Sequence, residues 1–247
     1  MLFRSIVARV NGELYDLVRP LPAEARVEIL TTRDPEALEV YRHSSAHLLA
    51  AAVLELYPET KLGIGPPIKD GFYYDFQRSE PFTAEDLAKI EARMAEIRDR
   101  DLPYERQVVE KQAGLAKYRE IGEPMKCELI EERAGDQFTE YTLGPHFIDF
   151  CRGPHLPSTK KIKAFKLLSI AGAYWKGDEN RHQMQRIYGT SWYSQKDLDE
   201  HLQKLEEAKK RDHRVLGKQL GLFTVDDKVG QGLILWKPKG SIIRQEL

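Results

Sequence analysis

Residues 34–58 read DPEALEVYRHSSAHLLAAAVLELYP, and the rest of the chain is best read outward from them. Asp34 and Pro35 form an N-cap and N1 signal, Pro58 stops the run, and Leu38, Tyr41, Leu48 and Leu49 recur at helical spacing. The pattern predicts one long helix through Tyr57 with an apolar inner face. His43 and His47 lie on it four residues apart, so both imidazoles fall on one side about one turn from each other. That spacing suits a shared metal ion or a shared water. Taken alone, it is also met in two unrelated histidines, one packed and one at the surface.

Upstream, Ile6–Val10, a turn at Asn11-Gly12 and a second run Glu13-Leu14-Tyr15 make a hairpin signal, and Arg26–Thr31 reads as a third strand. With no helix large enough to cover them, these strands look like part of a small domain. Downstream, the loop GIGPPIKDG (63–71) leads into a strand-like FYYDF (72–76). Thr83 caps a second helix, with Asp86 in the capping-box position and Leu87, Ile90, Met94 and Ile97 at helical spacing. Strand signals at 104–109, 137–142 and 147–151 alternate with a short helix around 110–121. The segments 165–175 and 183–193 bracket a loop like the two strands of a hairpin. Ser194 opens a charged helix running to residue 219, with a narrow apolar stripe of Leu198, Leu202, Leu205 and Ala208. A strand-rich segment and an amphipathic run near Ser241 follow. The predicted class is α+β.

Cys151 ends one of these strands, and Gly153-Pro154 forces a turn before His155 within DFCRGPH (149–155). The two pairs together supply three imidazole nitrogens and a thiol, a donor set that a soft ion such as zinc accepts. The same groups serve a metal-free hydrolase, with imidazoles positioning a water and a thiol or acid donating to the leaving oxygen. A nucleophilic Cys151 thiolate is a third chemistry. The residues alone do not separate these readings.

Composition sets outer limits. The chain has 247 residues, 41% of them apolar, with Cys127 and Cys151 as its two cysteines. A disulfide framework is excluded, and each thiol is expected to be reduced. The formal net charge of −1 leaves no global footprint for nucleic acid, so RNA contacts would rest on local patches such as Lys160-Lys161-Ile162-Lys163 and Lys209-Lys210-Arg211. No apolar run is long enough to span a membrane, and Arg4 and Arg9 break the N-terminal segment; a cytoplasmic location is expected. No GxxxxGK[ST] nucleotide loop is present.

RHSSAHLLA, IGPPIKDGFYYDF, DFCRGPHLPST, KLLSIAGAYWKGD and QRIYGTSWYS closely resemble, in order and spacing, the editing domain of bacterial threonyl-tRNA synthetases. RVNGELYDL through EIL resembles the second half of a ubiquitin-like TGS domain, and RDHRVLGKQLGLF the linker into a class II catalytic domain. The resemblance implies residues 1–32 as the C-terminal half of a TGS domain, 33–193 as the editing domain, 194–218 as a linker helix and 219–247 as the truncated start of the catalytic domain. It implies hydrolysis of mischarged seryl-tRNA(Thr). The alternatives are a free-standing zinc-dependent deacylase and a noncatalytic, metal-stapled RNA-binding module.

By the same resemblance, His43, His47, Lys126, Asp149, Cys151 and His155 are the catalytic set, with Tyr141 and Arg152 contacting substrate. His43 and Lys126 are expected to orient and activate water, and Cys151, His155 and His47 to shape the pocket and handle the leaving hydroxyl. Ser45 stands where members of the family often carry cysteine. No metal or cofactor is expected for this chain, whereas the whole synthetase would use ATP, Mg and a catalytic-domain Zn. The expected partner is the acceptor end of tRNA(Thr), with no membrane, and with a homodimer built by the whole protein.

Overall fold

The computed structural model describes residues 5–226, 229–230 and 232–246. The first four residues of the expected TGS segment, and residues 227, 228, 231 and 247 of the expected catalytic start, lie outside the described residues. The chain divides into two compact units, Met1–Leu198 and Asp199–Leu247.

In the first unit, β1 (Ser5–Val10), β2 (Glu13–Tyr15) and β3 (Val27–Thr31) form an antiparallel sheet in the order β2-β1-β3. Asn11 and Gly12 both take positive φ, 51° and 94°, the geometry a two-residue turn needs between right-twisted strands. The long helix α1 (Pro35–Leu56) follows. Pro35 opens it as expected, but the Asp34 carboxylate does not cap it. It turns back instead to accept from the Thr31 backbone N–H at 2.6 Å, closing the approach to the helix.

Nor is α1 one-faced: it is buried on all sides from Val40 to Val53 except at the partly open His43. It packs against β1, against β5 (Pro67–Ile68), β6 (Gly71–Gln77) and β11 (Gln183–Trp192), and against α2 (Ala84–Asp99). Small residues, Ala46 and Ala50 to Ala52, let those neighbours approach from every direction. Several of its buried polar groups are internally bonded, as burial favours. Ser44 Oγ donates to the Val40 carbonyl at 2.9 Å, and Arg42 donates to the carbonyls of Ile68 and Lys69.

The second sheet orders β10 (Ala164–Tyr174), β11, β6 and β4 (Lys61–Leu62), with β5 on β6. The predicted hairpin is present, pairing Tyr174 with Gln183 and Ala164 with Trp192. On α2, Thr83 and Asp86 complete the predicted capping box. A third antiparallel sheet orders β7 (Tyr104–Glu110), β8 (Gln137–Leu143) and β9 (Phe147–Phe150). Between β7 and β8 run two helices, α3 (Lys111–Glu120) and α4 (Pro124–Arg133), where one was predicted. Gly122, with φ of 72°, ends α3, and Pro124 opens α4 at its first turn. All strand pairs are antiparallel and the helices sit between and over small sheets, so the class is α+β.

The predicted continuous helix after Ser194 is two helices, α5 (Gln195–Lys210) and α6 (His213–Gln219). Asp212 breaks it, because its carboxylate accepts from the Arg214 N–H at 2.8 Å and starts a new N-terminus. Of the predicted stripe on α5, Leu198 is fully buried. In the second unit, β12 (Phe223–Val225) and β13 (Ile234–Trp236) pair antiparallel with Phe223 edge-on to Trp236, followed by α7 (Pro238–Glu246).

Candidate active site

Two local structures deliver the four donor side chains. Helix α1 presents His43 and His47 one turn apart, their ring centroids 4.9 Å from each other. Opposite them, Cys151 follows β9 and is pinned to β8: its N–H donates to the Thr139 carbonyl at 3.1 Å, and its own carbonyl accepts from Thr139 Oγ1 at 2.6 Å. Gly153 then takes φ of 69° before a cis bond to Pro154, and the chain reverses to bring His155 back beside Cys151. Any side chain at 153 would meet the Tyr141 hydroxyl at 2.1 Å, so glycine is required there twice over. Cys151 Sγ lies 3.4 Å from His43 Nε2 and 3.4 Å from His155 Nε2, and the four ligand atoms all fall within 4.8 Å of one another.

The His155 ring is fixed from several sides. Tyr104 stacks on it with an interplanar angle of 8°, and Tyr141 meets it edge-on. Ser44 Oγ is 3.1 Å from its Nδ1, accepts from the Leu156 N–H and spends its own proton on the Val40 carbonyl. The Nδ1 must then be the donor, which leaves the Nε2 lone pair facing Cys151.

Burial sets the charge of this face. It pushes His43 down to about 4 and His155 and His47 well below the usual imidazole range, the last two also repelled by neighbouring rings. Burial and the Asp149 carboxylate push the Cys151 thiol up. Near neutral pH the face offers three neutral imidazoles and a protonated thiol. A thiolate nucleophile is thereby disfavoured.

Beside it lies a charged network. Lys126, on α4 and 1% exposed, pairs with Asp149 Oδ1 and donates to the Gly63 carbonyl at 2.5 Å. Tyr74 donates to Asp149 Oδ2 at 2.6 Å, and its own hydroxyl oxygen lies 3.2 Å from the ammonium. Burial and Asp149 push the Tyr74 phenol well up, so it stays a donor. His47 Nε2 is 3.5 Å from Asp149 Oδ2, which joins the two faces. The His47 Nδ1 is buried with no hydrogen-bond partner among the described residues.

A cavity of ≈ 320 Å³ opens on this arrangement. His43, His47, Lys126, Asp149 and Cys151 line it, with Ile64, Pro66 and Pro67 on one wall and the exposed Arg133 and Arg152 at its mouth. The structure thus brings together His43, His47, Lys126, Asp149, Cys151 and His155, and sets Arg152 at the opening. Tyr141 stands behind His155, 1% exposed, and is not among the lining residues.

Three contributors carried no local signal strong enough to single them out: Tyr74, Tyr104 and Arg133. Tyr74 had the best hint, being a phenol on the same face as Phe72 and Phe76, where a buried hydroxyl needs a partner. The basic run at the end of α5 is paired with acidic residues of that helix, Lys209 with Glu206 and Lys210 and Arg211 with Glu207.

Residues 139–188, which hold Asp149, Cys151 and His155, match the model of the threonyl and alanyl tRNA synthetase second additional domain. That stretch is similar to the synthetase domain the model describes. The likeness extends beyond it: the chain is 53% identical over 247 residues to a threonine--tRNA ligase of Hyphomonas neptunium, covering 99% of this chain and 37% of the relative. It is 52% identical over 240 residues to the enzyme of Pelobacter propionicus, covering 97% and 38%, and 54% identical over 234 residues to that of Acidobacterium capsulatum, covering 94% and 34%. The chain therefore spans little more than a third of the length of these relatives. Among the described residues, no helix is long and apolar enough to cross a membrane.

Proposed function

We propose that this chain hydrolyses the ester of mischarged seryl-tRNA(Thr), as the proofreading module of a threonine--tRNA ligase. The observation that supports this most is the junction of a neutral His–Cys face with the Lys126–Asp149–Tyr74 network on one cavity whose mouth carries Arg133 and Arg152. A neutral imidazole at the cavity surface, His43, holds a water by its lone pair. The Lys126 ammonium, fixed by Asp149 and the Gly63 carbonyl, stabilises negative charge developing beside it. The Tyr74 O–H holds Asp149 in place, and the Cys151 thiol is placed to hydrogen-bond the departing ribose oxygen. The arginines at the mouth suit phosphates of an acceptor end.

Such a site answers a definite need. Serine lacks one methyl of threonine, a difference worth only ~1–3 kcal/mol in a binding pocket, so a second site that accepts the smaller ester sharpens the choice. On this reading residues 1–32 belong to a TGS segment, 33–193 to the editing domain, and 194–218 and 219–247 to the linker and catalytic start. The ligase activity, ATP, Mg and Zn use, homodimerisation and a cytoplasmic setting belong to the whole protein.

A metal-dependent deacylase is the second reading, favoured by the donor set: three imidazoles and a thiol within 4.8 Å, with one imidazole nitrogen otherwise unpartnered. These residues fit a soft divalent ion, with His43, His47, Cys151 and His155 as its holders. Such an ion would acidify a bound water. The test is hydrolysis of seryl-tRNA(Thr) by the chain with and without chelator, beside His43→Ala. Activity that survives chelation and fails in His43→Ala supports the metal-free reading. Loss on chelation restored by zinc supports the second, and inactivity throughout contradicts both.

A further inference from the structure

The N-terminal sheet reaches into the site. Asp16, the residue after β2, is 6% exposed, and its carboxylate accepts from the backbone N–H of His155 at 2.9 Å. The same carboxylate accepts from the Tyr141 hydroxyl, at 3.0 Å to Oδ1 and 2.9 Å to Oδ2. Both donors bear on one ring. Tyr141 touches the His155 imidazole edge-on at 4.5 Å, and the His155 N–H fixes where the chain stands after the Gly153-Pro154 turn. Tyr141 in turn fills the space above Gly153 that a side chain would occupy. One carboxylate thus ties together the strand residue behind the ring and the backbone that carries the ring. A hydrogen bond to an ionised acceptor is about twice as strong as a neutral one, which suits a joint that must not drift.

We propose that Asp16 is a positioning residue for the editing site: it holds His155 and Tyr141 in register with Cys151, so that the N-terminal segment completes a site whose reacting groups lie elsewhere in the chain. Asp16 touches neither substrate nor the reacting atoms. The proposal deepens the hydrolase reading and rests on it for its rate effect, but not for its structural effect. On this account residues 33–193 separated from residues 5–31 keep every lining residue and lose the alignment of His155. Misplacing a catalytic group by ~1 Å costs on the order of 100-fold in rate.

The experiment compares Asp16→Asn, Asp16→Ala and Tyr141→Phe with Arg9→Ala in the full chain. Arg9 bonds Glu28 and Glu36 and so loosens the same sheet without touching Asp16. Two readouts are taken: the NMR ring signals of His155, and single-turnover hydrolysis of seryl-tRNA(Thr) across substrate concentration. The expected result is that both Asp16 variants shift the His155 signals and lower the maximal rate roughly 10- to 100-fold with half-saturation little changed, with Tyr141→Phe intermediate and Arg9→Ala like the parent. Parental ring signals in both Asp16 variants overturn the proposal, as does an equal shift in Arg9→Ala. If the parent chain itself fails to hydrolyse, the hydrolase reading falls, and the ring signals alone decide the role of Asp16.

Discussion

On one side of the cavity, His43, His47, Cys151 and His155 gather uncharged donors from two short stretches of sequence. On the other, Lys126, Asp149, Tyr74 and the Gly63 carbonyl come from α4, β9, β6 and the turn after β4, and hold opposite charges away from water. The first face is cheap to bury because burial keeps it neutral, and it is open to a proton, a water or an ion. The second is stable only as a set. A buried charge that loses its partner keeps its desolvation cost and has nothing to offset it. One face therefore tolerates substitution structurally and fails chemically, whereas the other fails in both respects.

The largest effect is expected from Lys126→Met, which strands the Asp149 carboxylate. Unfolding stability should fall by about 3–5 kcal/mol, read as a lowered urea midpoint, together with loss of hydrolysis. Adding Asp149→Leu should restore much of the midpoint while hydrolysis stays lost. A double variant no more stable than the single would show that packing, not the stranded charge, is responsible.

A smaller effect is expected at Cys151. As a protonated thiol that donates a hydrogen bond, its replacement by alanine should slow hydrolysis by on the order of 100-fold or less, with folding little changed. A nucleophile would instead cost roughly 10⁵-fold or more, and would leave a trapped acyl-enzyme at high substrate. Single-turnover rates for Cys151→Ala separate the two.

The smallest single-residue effect is the share of His43 in the pH dependence. In the unfolded chain each histidine takes up a proton near pH 6.5, whereas folded His43 does so only near 4, and burial holds His47 and His155 well below their ordinary value. The unfolded state binds more protons in that window, so stability falls as pH drops from about 6.5 toward 4, by at most about 1.4 kcal/mol per unit for each histidine. Urea titrations of the metal-free chain at pH 7, 6 and 5 should show this decline, shallower in His43→Gln. An equal slope in His43→Gln would place the titrating groups elsewhere.

The same contrast explains what the sequence disclosed. Helix α1, the hairpins at Asn11-Gly12 and 165–193, the capping box at Thr83 and the Cys151–His155 turn rest on contacts a few residues apart, which spacing and turn chemistry report. The all-round burial of α1 was not legible, because it follows from sheets and helices packed on it from distant parts of the chain. Helix α4 escaped notice although Gly122 and Pro124 marked its start, and with it went the physical reason for Lys126, which only resemblance had singled out. The break at Asp212 is a local competition between a side-chain cap and helix propagation that periodicity alone misses. Asp16 had no signal at all, since its partners, Tyr141 and His155, lie more than a hundred residues away.

The central claim is selective ester hydrolysis, and its most direct measurement is the ratio of single-turnover deacylation rates for seryl-tRNA(Thr) and threonyl-tRNA(Thr) with the chain in excess. The account predicts that the serine ester is cleared well above its spontaneous rate while the threonine ester, excluded by its extra methyl, decays as it does in buffer. Equal clearance of both esters, or clearance of neither, would contradict it.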